Sequence, residues 1–579
     1  MADGADPAAF YDMRPWTDAY GPGMPRDIGA PQYRSLGELV RRASVSYPGN
    51  TAFSVCLPNG MSTSLKFHEV DALSDRFMAY LRDELRLQPG DRVAVQLPNC
   101  LAYPICAFGI FKAGCVLVNV NPLYTARETN HQLKDSGAKV LVIIDMFVDK
   151  LAEALRDSAV ETVVCASVAD FFPPLRRTLI QAGLKLKGQL PSSPRPRVPL
   201  RKALALGKRY LQHPDGNPMV ARDLDDLAIL QYTGGTTGIA KGACLSHGNL
   251  LANVAQIDAI ASPLVRRGED VIMTALPLYH IFAFTFNLLS FYRFGCHNVL
   301  IPSPRPPANL RKAFEKFPIS KFTAVNTLFQ GLVNEPWFRE HPPRFLDLSI
   351  SGGSALQTSV GENWRNVVGS PILEGYGLSE TSPVLAVNPP RGENRPGTVG
   401  VPVPGTDIRI VDEQDRPVPV GQAGELIARG PQVFSGYWNM PEETQRVLRD
   451  GWFHTGDIAV MDERGYIRIV DRKKDMIDVS GFNVYPNEVE DCIAAHPDVL
   501  EVAVVGVPLP TGGERVRAYV VPRRPDLTAE EIIQHCRSRI TNYKVPKEVV
   551  FCQELPKSPI GKILRRQLRD EAIRQGSGG

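Results

Sequence analysis

The chain has 579 residues, 44% hydrophobic and 22% charged, with 65 Lys plus Arg against 62 Asp plus Glu and a net charge of +3. This length points to several structural units, and this composition excludes a fibre, a disordered chain and a disulfide miniprotein. The near balance of charge gives no electrostatic reason to expect nucleic acid as a partner.

Residues 1–30, rich in Ala, Gly, Pro and Asp, read as a loose arm without a secretory leader. From Leu36 to Ile144, helical patterns alternate with short apolar runs such as Arg92-Val-Ala-Val-Gln-Leu and Val140-Leu-Val-Ile-Ile. That alternation predicts α/β layers with mainly parallel strands, and it resumes from Leu227 to Leu373. Leu101 to Val118 is too interrupted, by Pro104 and Lys112, to cross a membrane, and the apolar run Ile281 to Tyr292 is too short. Residues 171–210 carry ten Lys/Arg and no Asp/Glu, which fits a solvated excursion or a patch for an anionic membrane surface.

From Gly397 to Val470 the texture changes to short β runs with turn signals, closing with the hairpin turn Asp462-Glu-Arg-Gly, and predicts a small antiparallel barrel or sheet. Beyond Asp471-Arg-Lys-Lys-Asp a compact α+β unit is expected, with Pro486 opening one helix and a Thr528/Glu531 capping box opening another. The expected division is therefore 1–30, 31–470 and 471–579. The ten cysteines form no C-x-x-C pair and read as reduced core residues of a cytoplasmic protein.

The strongest local signal is Tyr232-Thr-Gly-Gly-Thr-Thr-Gly-Ile-Ala-Lys-Gly, after the apolar Leu227-Ala-Ile-Leu. Thr233, Gly234, Gly235, Thr236, Thr237 and Gly238 combine a freed backbone with hydroxyl donors, and Lys241 adds a positive charge. The chemistry is that of a phosphate-gripping loop, but the Walker A spacing is absent. A flexible Gly/Thr turn is the plain alternative.

This loop resembles the signature of the adenylate-forming superfamily of acyl-CoA synthetases, peptide-synthetase adenylation domains and luciferases. Further motifs follow in the family's order: Pro277-Leu-Tyr-His280, Ser351-Gly-Gly-Ser, Gly375-Tyr-Gly-Leu-Ser-Glu-Thr381, Gly451-Trp-Phe-His-Thr-Gly-Asp457, Asp471-Arg-Lys-Lys-Asp-Met-Ile and Pro556-Lys-Ser-Pro-Ile-Gly-Lys562. The resemblance runs from about Tyr33 to Ala572. Val470 to Pro486 and the ending Gly561-Lys-Ile-Leu-Arg-Arg look most like bacterial long-chain fatty-acid–CoA ligases.

The resemblance implies a large N-terminal domain of two α/β subdomains plus a small β-barrel, followed by a mobile α+β domain hinged at 471–472. It implies ATP, Mg²⁺ and coenzyme A, with a fatty acid joined first to AMP and then to the CoA thiol. Bringing two anions together calls for cations and backbone N–H groups. Lys562 is then the charge bridging carboxylate and α-phosphate. Glu380, with Thr233, holds the metal; Tyr376, Gly377 and Ser379, with Gly352 and Gly353, receive adenine and phosphates; Asp457 takes the ribose hydroxyls, and Arg472 supports ribose and phosphate. His280 orients or gates the acyl carboxylate, and the apolar run after it is either a tunnel wall or plain core. Gly481 admits the pantetheine arm. Ser379 stands where many members have Thr, and Ser354 where many have Ala or Gly. A fatty-acyl–AMP ligase, an aryl-CoA ligase and a non-catalytic scaffold are the alternatives, and oligomeric state stays open.

Overall fold

The computed structural model describes residues 7–212, 219–233, 240–479, 482–509, 512–558 and 561–576. Among them, one seven-stranded sheet runs in the order Val198–Pro199, Thr162–Ala166, Val140–Ile144, Arg92–Gln96, Val116–Asn119, Leu227–Thr233, Lys241–Ser246. All its pairings are parallel except the last. Strands such as Val-Leu-Val-Ile-Ile at 140–144 are buried along their whole length, as a sheet covered on both faces requires. The stretch that hydropathy alone offered as a span is core: the helix Ala102–Lys112 is buried throughout, followed by the strand Val116–Asn119. Lys112 survives there because its ammonium donates to Asp71 Oδ1 at 2.6 Å, Asp75 Oδ1 at 2.8 Å and Ser74 Oγ at 2.8 Å. A buried charge is tolerated only with such partners. Among the described residues no helix is long and apolar enough to cross a membrane.

A second sheet of nine strands has six parallel strands at its heart: Ile372–Gly377, Leu348–Ser351, Lys321–Ala324, Val271–Thr274, His297–Leu300 and Thr51–Cys56. Ligands of open α/β sheets gather at the carboxyl ends of parallel strands. Here those ends deliver Gly352-Gly353, the turn Ser379–Thr381 and, from the first sheet, Thr233.

The region expected as a small barrel or sheet is an open antiparallel sheet. Its order is Asp407–Val411, Gly424–Arg429, Trp452–Met461, with Leu448–Arg449 and Ile467–Arg472 both paired to the long strand. No described pairing joins its two ends, so the barrel reading gives way to a sheet with edges. Residues 477–572 build two hydrophobic clusters of their own, centred on Val504, Val520 and Ile532 and on Val505, Tyr519 and Leu568. Pro486 opens the helix Pro486–Ala494, and Thr528 accepts the Glu531 N–H at 3.3 Å while Glu531 Oε2 accepts the Thr528 N–H at 2.8 Å.

The N-terminal arm is not loose over residues 7–20. Its composition hides three aromatic anchors. Tyr11 and Trp16 are buried in the cluster formed by Leu385, Ile408, Ile410 and Leu426, and the Tyr20 hydroxyl donates to the Pro402 carbonyl at 2.7 Å. Arg14 Nε meets Asp407 Oδ1 at 2.6 Å. Gly465 makes room: a Cβ there would stand 2.5 Å from Trp16 Cβ. Replacing Trp16 by Ala should cost about 3–5 kcal/mol of the stability of this cluster, the usual range for emptying a fully buried aromatic site. Urea unfolding followed by circular dichroism measures it; an unchanged midpoint would make the anchor dispensable.

Candidate active site

The strand ends open onto one cavity of about 1620 Å³. Residues 557, 558 and 561–564 line it from the C-terminal side. This loop is tied by Ser558, whose Oγ accepts the Lys562 N–H at 3.1 Å and whose N–H donates to the Lys562 carbonyl at 2.7 Å. Across the junction, Thr327 Oγ1 donates to the Gly561 carbonyl at 3.1 Å and Arg305 donates to the Ser558 carbonyl at 3.4 Å. Gly561 has φ +95°, and a Cβ would lie 2.2 Å from an Arg305 guanidinium nitrogen. Only glycine meets both demands. The loop thus places Lys562 inside the cavity, beside residues contributed by all three sheets.

Burial pushes the Lys562 ammonium down to about 8, and the Arg472 charge pushes the same way, while Asp457 and Glu380 act against them. Burial, followed by the Lys562 charge, lowers His280 to about 3, so its imidazole is neutral. His280 Nδ1 accepts the Phe282 N–H at 3.3 Å, which assigns the ring proton to Nε2. His280 is therefore a neutral donor on the cavity wall, at the head of the apolar residues Ile281, Phe282 and Phe286.

Asp457 and Arg472 face each other on paired strands, with Arg472 Nε 3.0 Å from Asp457 Oδ1. The Tyr376 hydroxyl donates to the other oxygen at 2.6 Å. Burial and then the Asp457 charge raise the Tyr376 phenol well above its ordinary value, keeping it a donor. Each carboxylate oxygen retains a second lone pair for a further donor. Glu380, in the turn Ser379–Thr381, accepts the Tyr437 hydroxyl on Oε1 at 2.7 Å, and its carbonyl accepts the Phe434 N–H at 2.8 Å. Ser379 lines the cavity next to it.

The glycines differ in kind. A Cβ on Gly353 (φ +85°) would sit 3.3 Å from Lys562 Cε, and one on Gly352 3.1 Å from the Phe282 ring. Gly353 thus keeps the lysine's approach open, and Gly352 gives room to the Phe282 ring. A Cβ on Gly377 would strike the Pro383 carbonyl at 1.8 Å, so that glycine is required by its own turn as well as lining the cavity. Thr233 and Lys241 pair across the two strands that flank the glycine-rich loop. Lys241 is committed to Glu443 and lies 5.4 Å from the centre of the Tyr437 ring. Gly234, Gly235, Thr236, Thr237 and Gly238 lie outside the described residues, as does Gly481.

Sequence reasoning missed Tyr437, Glu443, Arg305 and Thr327, which stand in no quoted motif and meet the site only through folding, and it assigned no role to Arg565, although Arg565 lies in the ending Gly561-Lys-Ile-Leu-Arg-Arg. Arg565 follows Lys562 by three residues and donates to Glu490 Oε1 at 2.8 Å and to Asp471 Oδ1 at 3.0 Å, with Asn487 Oδ1 as a further partner. Asp471 Oδ2 also accepts the Asn487 N–H at 2.8 Å.

Residues 40–438 match a family model described as AMP-binding enzyme, and residues 488–562 match one described as AMP-binding enzyme C-terminal domain. The chain belongs to the AMP-binding enzyme family. It is 46% identical to a long-chain-fatty-acid–CoA ligase of Escherichia coli O6:H1 over 96% of this chain and 98% of that one. It is 35% identical to a long-chain-fatty-acid–CoA ligase of Bacillus subtilis over 97% and 99%. Among solved structures, ATP-bound MatB from Rhodopseudomonas palustris aligns with a TM-score of 0.79 at 29% identity, covering 93% of this chain and 99% of that one. The anthranilate CoA ligase AuaEII in complex with anthranoyl-AMP aligns at 0.81 and 25% identity, covering 94% and 99%.

In this AMP-binding enzyme the Lys562 amine should become nucleophilic near pH 8, whereas exposed lysines do so near pH ~10.4. Acylation of individual lysines, followed by peptide mass spectrometry across pH, reads the midpoint. Arg472→Gln removes a repelling charge and should move it upward. A Lys562 midpoint equal to that of surface lysines contradicts the buried placement.

Proposed function

We propose that the chain is a long-chain fatty-acid–CoA ligase whose C-terminal loop supplies the charge for adenylation. A fatty-acid carboxylate oxygen attacks the α-phosphorus of ATP, the bond to the β-phosphate breaks and pyrophosphate leaves. The sulfur of CoA then attacks the acyl carbon, the thiol proton is lost and AMP leaves. The observation that carries this reading is Lys562 held in the cavity beside Asp457, Arg472 and Glu380, with a neutral His280 opening onto the apolar wall of Ile281, Phe282 and Phe286. Full-length similarity to CoA ligases favours CoA over a carrier protein as acceptor.

In this reading Lys562 bridges the carboxylate and α-phosphate, where a fixed charge acts only as negative charge moves onto the phosphoryl oxygens. His280 Nε2–H orients the acyl carboxylate. Tyr376 offers its ring to adenine, while its hydroxyl holds Asp457 for the ribose. Gly352 and Gly353 let the nucleotide approach the backbone. The donor set fits Mg²⁺ bound jointly with phosphates: Glu380 is one buried carboxylate with an oxygen outside its Tyr437 bond, Thr233 stands at the end of the neighbouring strand, and no described cluster of three or more ligating side chains forms a protein-only cage. When bound, the ion would neutralise phosphate charge. The loop 234–238 cradles phosphate and Gly481 admits pantetheine.

The domains divide near 471–472. Strand Ile467–Arg472 belongs to the antiparallel sheet, yet the Asp471 carboxylate is bonded to Asn487 and Arg565 beyond it. One cavity cannot hold Lys562 and admit the Gly481 segment together, so the small domain rotates between the half-reactions about this junction. The ten cysteines are all unpaired, which suits a cytoplasmic enzyme, and the basic segment 171–210 suits peripheral contact with an anionic membrane.

Lys562→Ala should lower acyl-AMP formation on the order of 10²–10³ in rate while leaving the reaction of supplied acyl-AMP with CoA nearly intact. Pyrophosphate release and thioester formation are assayed separately; equal loss of both sinks the assignment. Asp471→Pro fixes φ and should slow acyl-AMP consumption by CoA more than acyl-AMP formation. Asp471→Ala removes the carboxylate alone, so two variants behaving alike would place the pivot elsewhere.

A further inference from the structure

The helix Pro174–Leu186 connects Thr162–Ala166 to Val198–Pro199, two parallel neighbours in the seven-stranded sheet. A crossover helix there normally buries a continuous apolar stripe against the sheet. This one buries Ile180 alone, with Leu184 half-buried behind it. Its other leucines point outward. Leu175 is 75% exposed, Leu179 60% and Leu186 89%, and Ala182 is exposed with them. Spacings of four, three and four residues put these four on one face. The other strongly exposed large apolar side chains are scattered singly along the described chain.

The flanks of the stripe are basic. Arg176 and Lys187 each follow a stripe residue by one position, and Lys185 precedes one. At about 100° per residue they lie on both sides of it. No acidic residue occurs between 171 and 210. The next helix, Leu200–Tyr210, packs Leu200, Ala203 and Leu204 inward and exposes Arg201, Lys202, Lys208 and Arg209. A stripe whose charged neighbours along the helix are all cations repels a second copy of itself. It matches a surface that is apolar beneath and anionic above. At about 20 Å the helix is too short to span a bilayer and suits lying in its interface.

We infer that the outer face of Pro174–Leu186 inserts into anionic lipid headgroups, Leu175, Leu179 and Leu186 entering the acyl boundary while Arg176, Lys185 and Lys187 meet lipid phosphates. This inference rests on the membrane-contact reading above and names the element that performs it. The helix leaves from the carboxyl end of its strand, the same edge of the sheet at which the strand Leu227–Thr233 ends, four strand spacings or about 19 Å away. Lipid contact there brings the bilayer, where long-chain acids dissolve, to the rim that carries the cavity.

The test is cosedimentation of the full chain with phosphatidylcholine vesicles with and without phosphatidylglycerol, at low and high salt. The wild type should bind the anionic vesicles, and salt should weaken binding. The triple variant Leu175→Ser, Leu179→Ser, Leu186→Ser should lower the partition coefficient on the order of tenfold or more, because each leucine forfeits its apolar burial. Its far-ultraviolet circular dichroism and its turnover of a short, freely soluble acid should stay at the wild-type level. A triple variant that partitions like the wild type overturns the inference while leaving membrane contact standing. A wild type that ignores anionic vesicles at low salt overturns both. If instead the wild type self-associates, the variant becomes monomeric and vesicle binding does not change, the face is a protein interface.

Discussion

A half-buried ammonium held in the field of a guanidinium is the constraint around which the site is built. Lys562 and Arg472 repel, and burial penalises both; Asp457 and Glu380 supply the opposing charge. The arrangement tolerates the lysine without quenching it, since neither carboxylate is consumed by a direct ion pair to Lys562: Asp457 is engaged by Arg472 and Tyr376, and Glu380 by Tyr437. An incoming anion therefore meets a cation whose charge is only partly balanced, which is the preorganisation that electrostatic catalysis exploits. His280 is neutral first because burial disfavours its charged form, and then because a second cation beside Lys562 is disfavoured.

Backbone geometry sets the tolerance of this arrangement. Gly353 leaves just the width of a methylene for the lysine stem, and Gly561 admits Arg305 where no side chain fits. Both have positive φ, which disfavours ordinary residues at either position, and at Gly561 a Cβ would also clash with Arg305. Arg305 and Thr327 grip carbonyls of the inserted loop rather than its side chains. Such contacts fix the depth of the loop and would hold whatever side chains the loop carried.

The alternation of helix and strand was legible because parallel strands buried on both faces leave uninterrupted apolar runs such as 140–144. The ordered motifs brought together Lys562, Glu380, Asp457, Arg472, Tyr376 and His280, which the structure places around one cavity. What stayed hidden lacked any local signature. The arm at 7–20 was masked by Ala, Gly and Pro, although Tyr11, Trp16 and Tyr20 do the packing. Alternation at 407–472 marks antiparallel strands but says nothing of closure, which depends on whether distant edges meet. The partners of Glu380 and Lys241, Tyr437 and Glu443, come from a segment whose composition reads as an ordinary loop and a short helix.

Arg565 gives the small domain a mechanical character. It ties Asp471 at the junction to Asn487 and Glu490 on the helix Pro486–Ala494, three residues beyond Lys562. Junction, helix and loop are thereby clamped into one stiff lever with the lysine near its tip. A lever magnifies angular error in proportion to its length, so slack of a few degrees at the junction would carry the ammonium past the space that Gly353 leaves for it. The precision of the lysine is set at the fulcrum, by an arginine whose hydrogen bonds run to Asp471, Asn487 and Glu490.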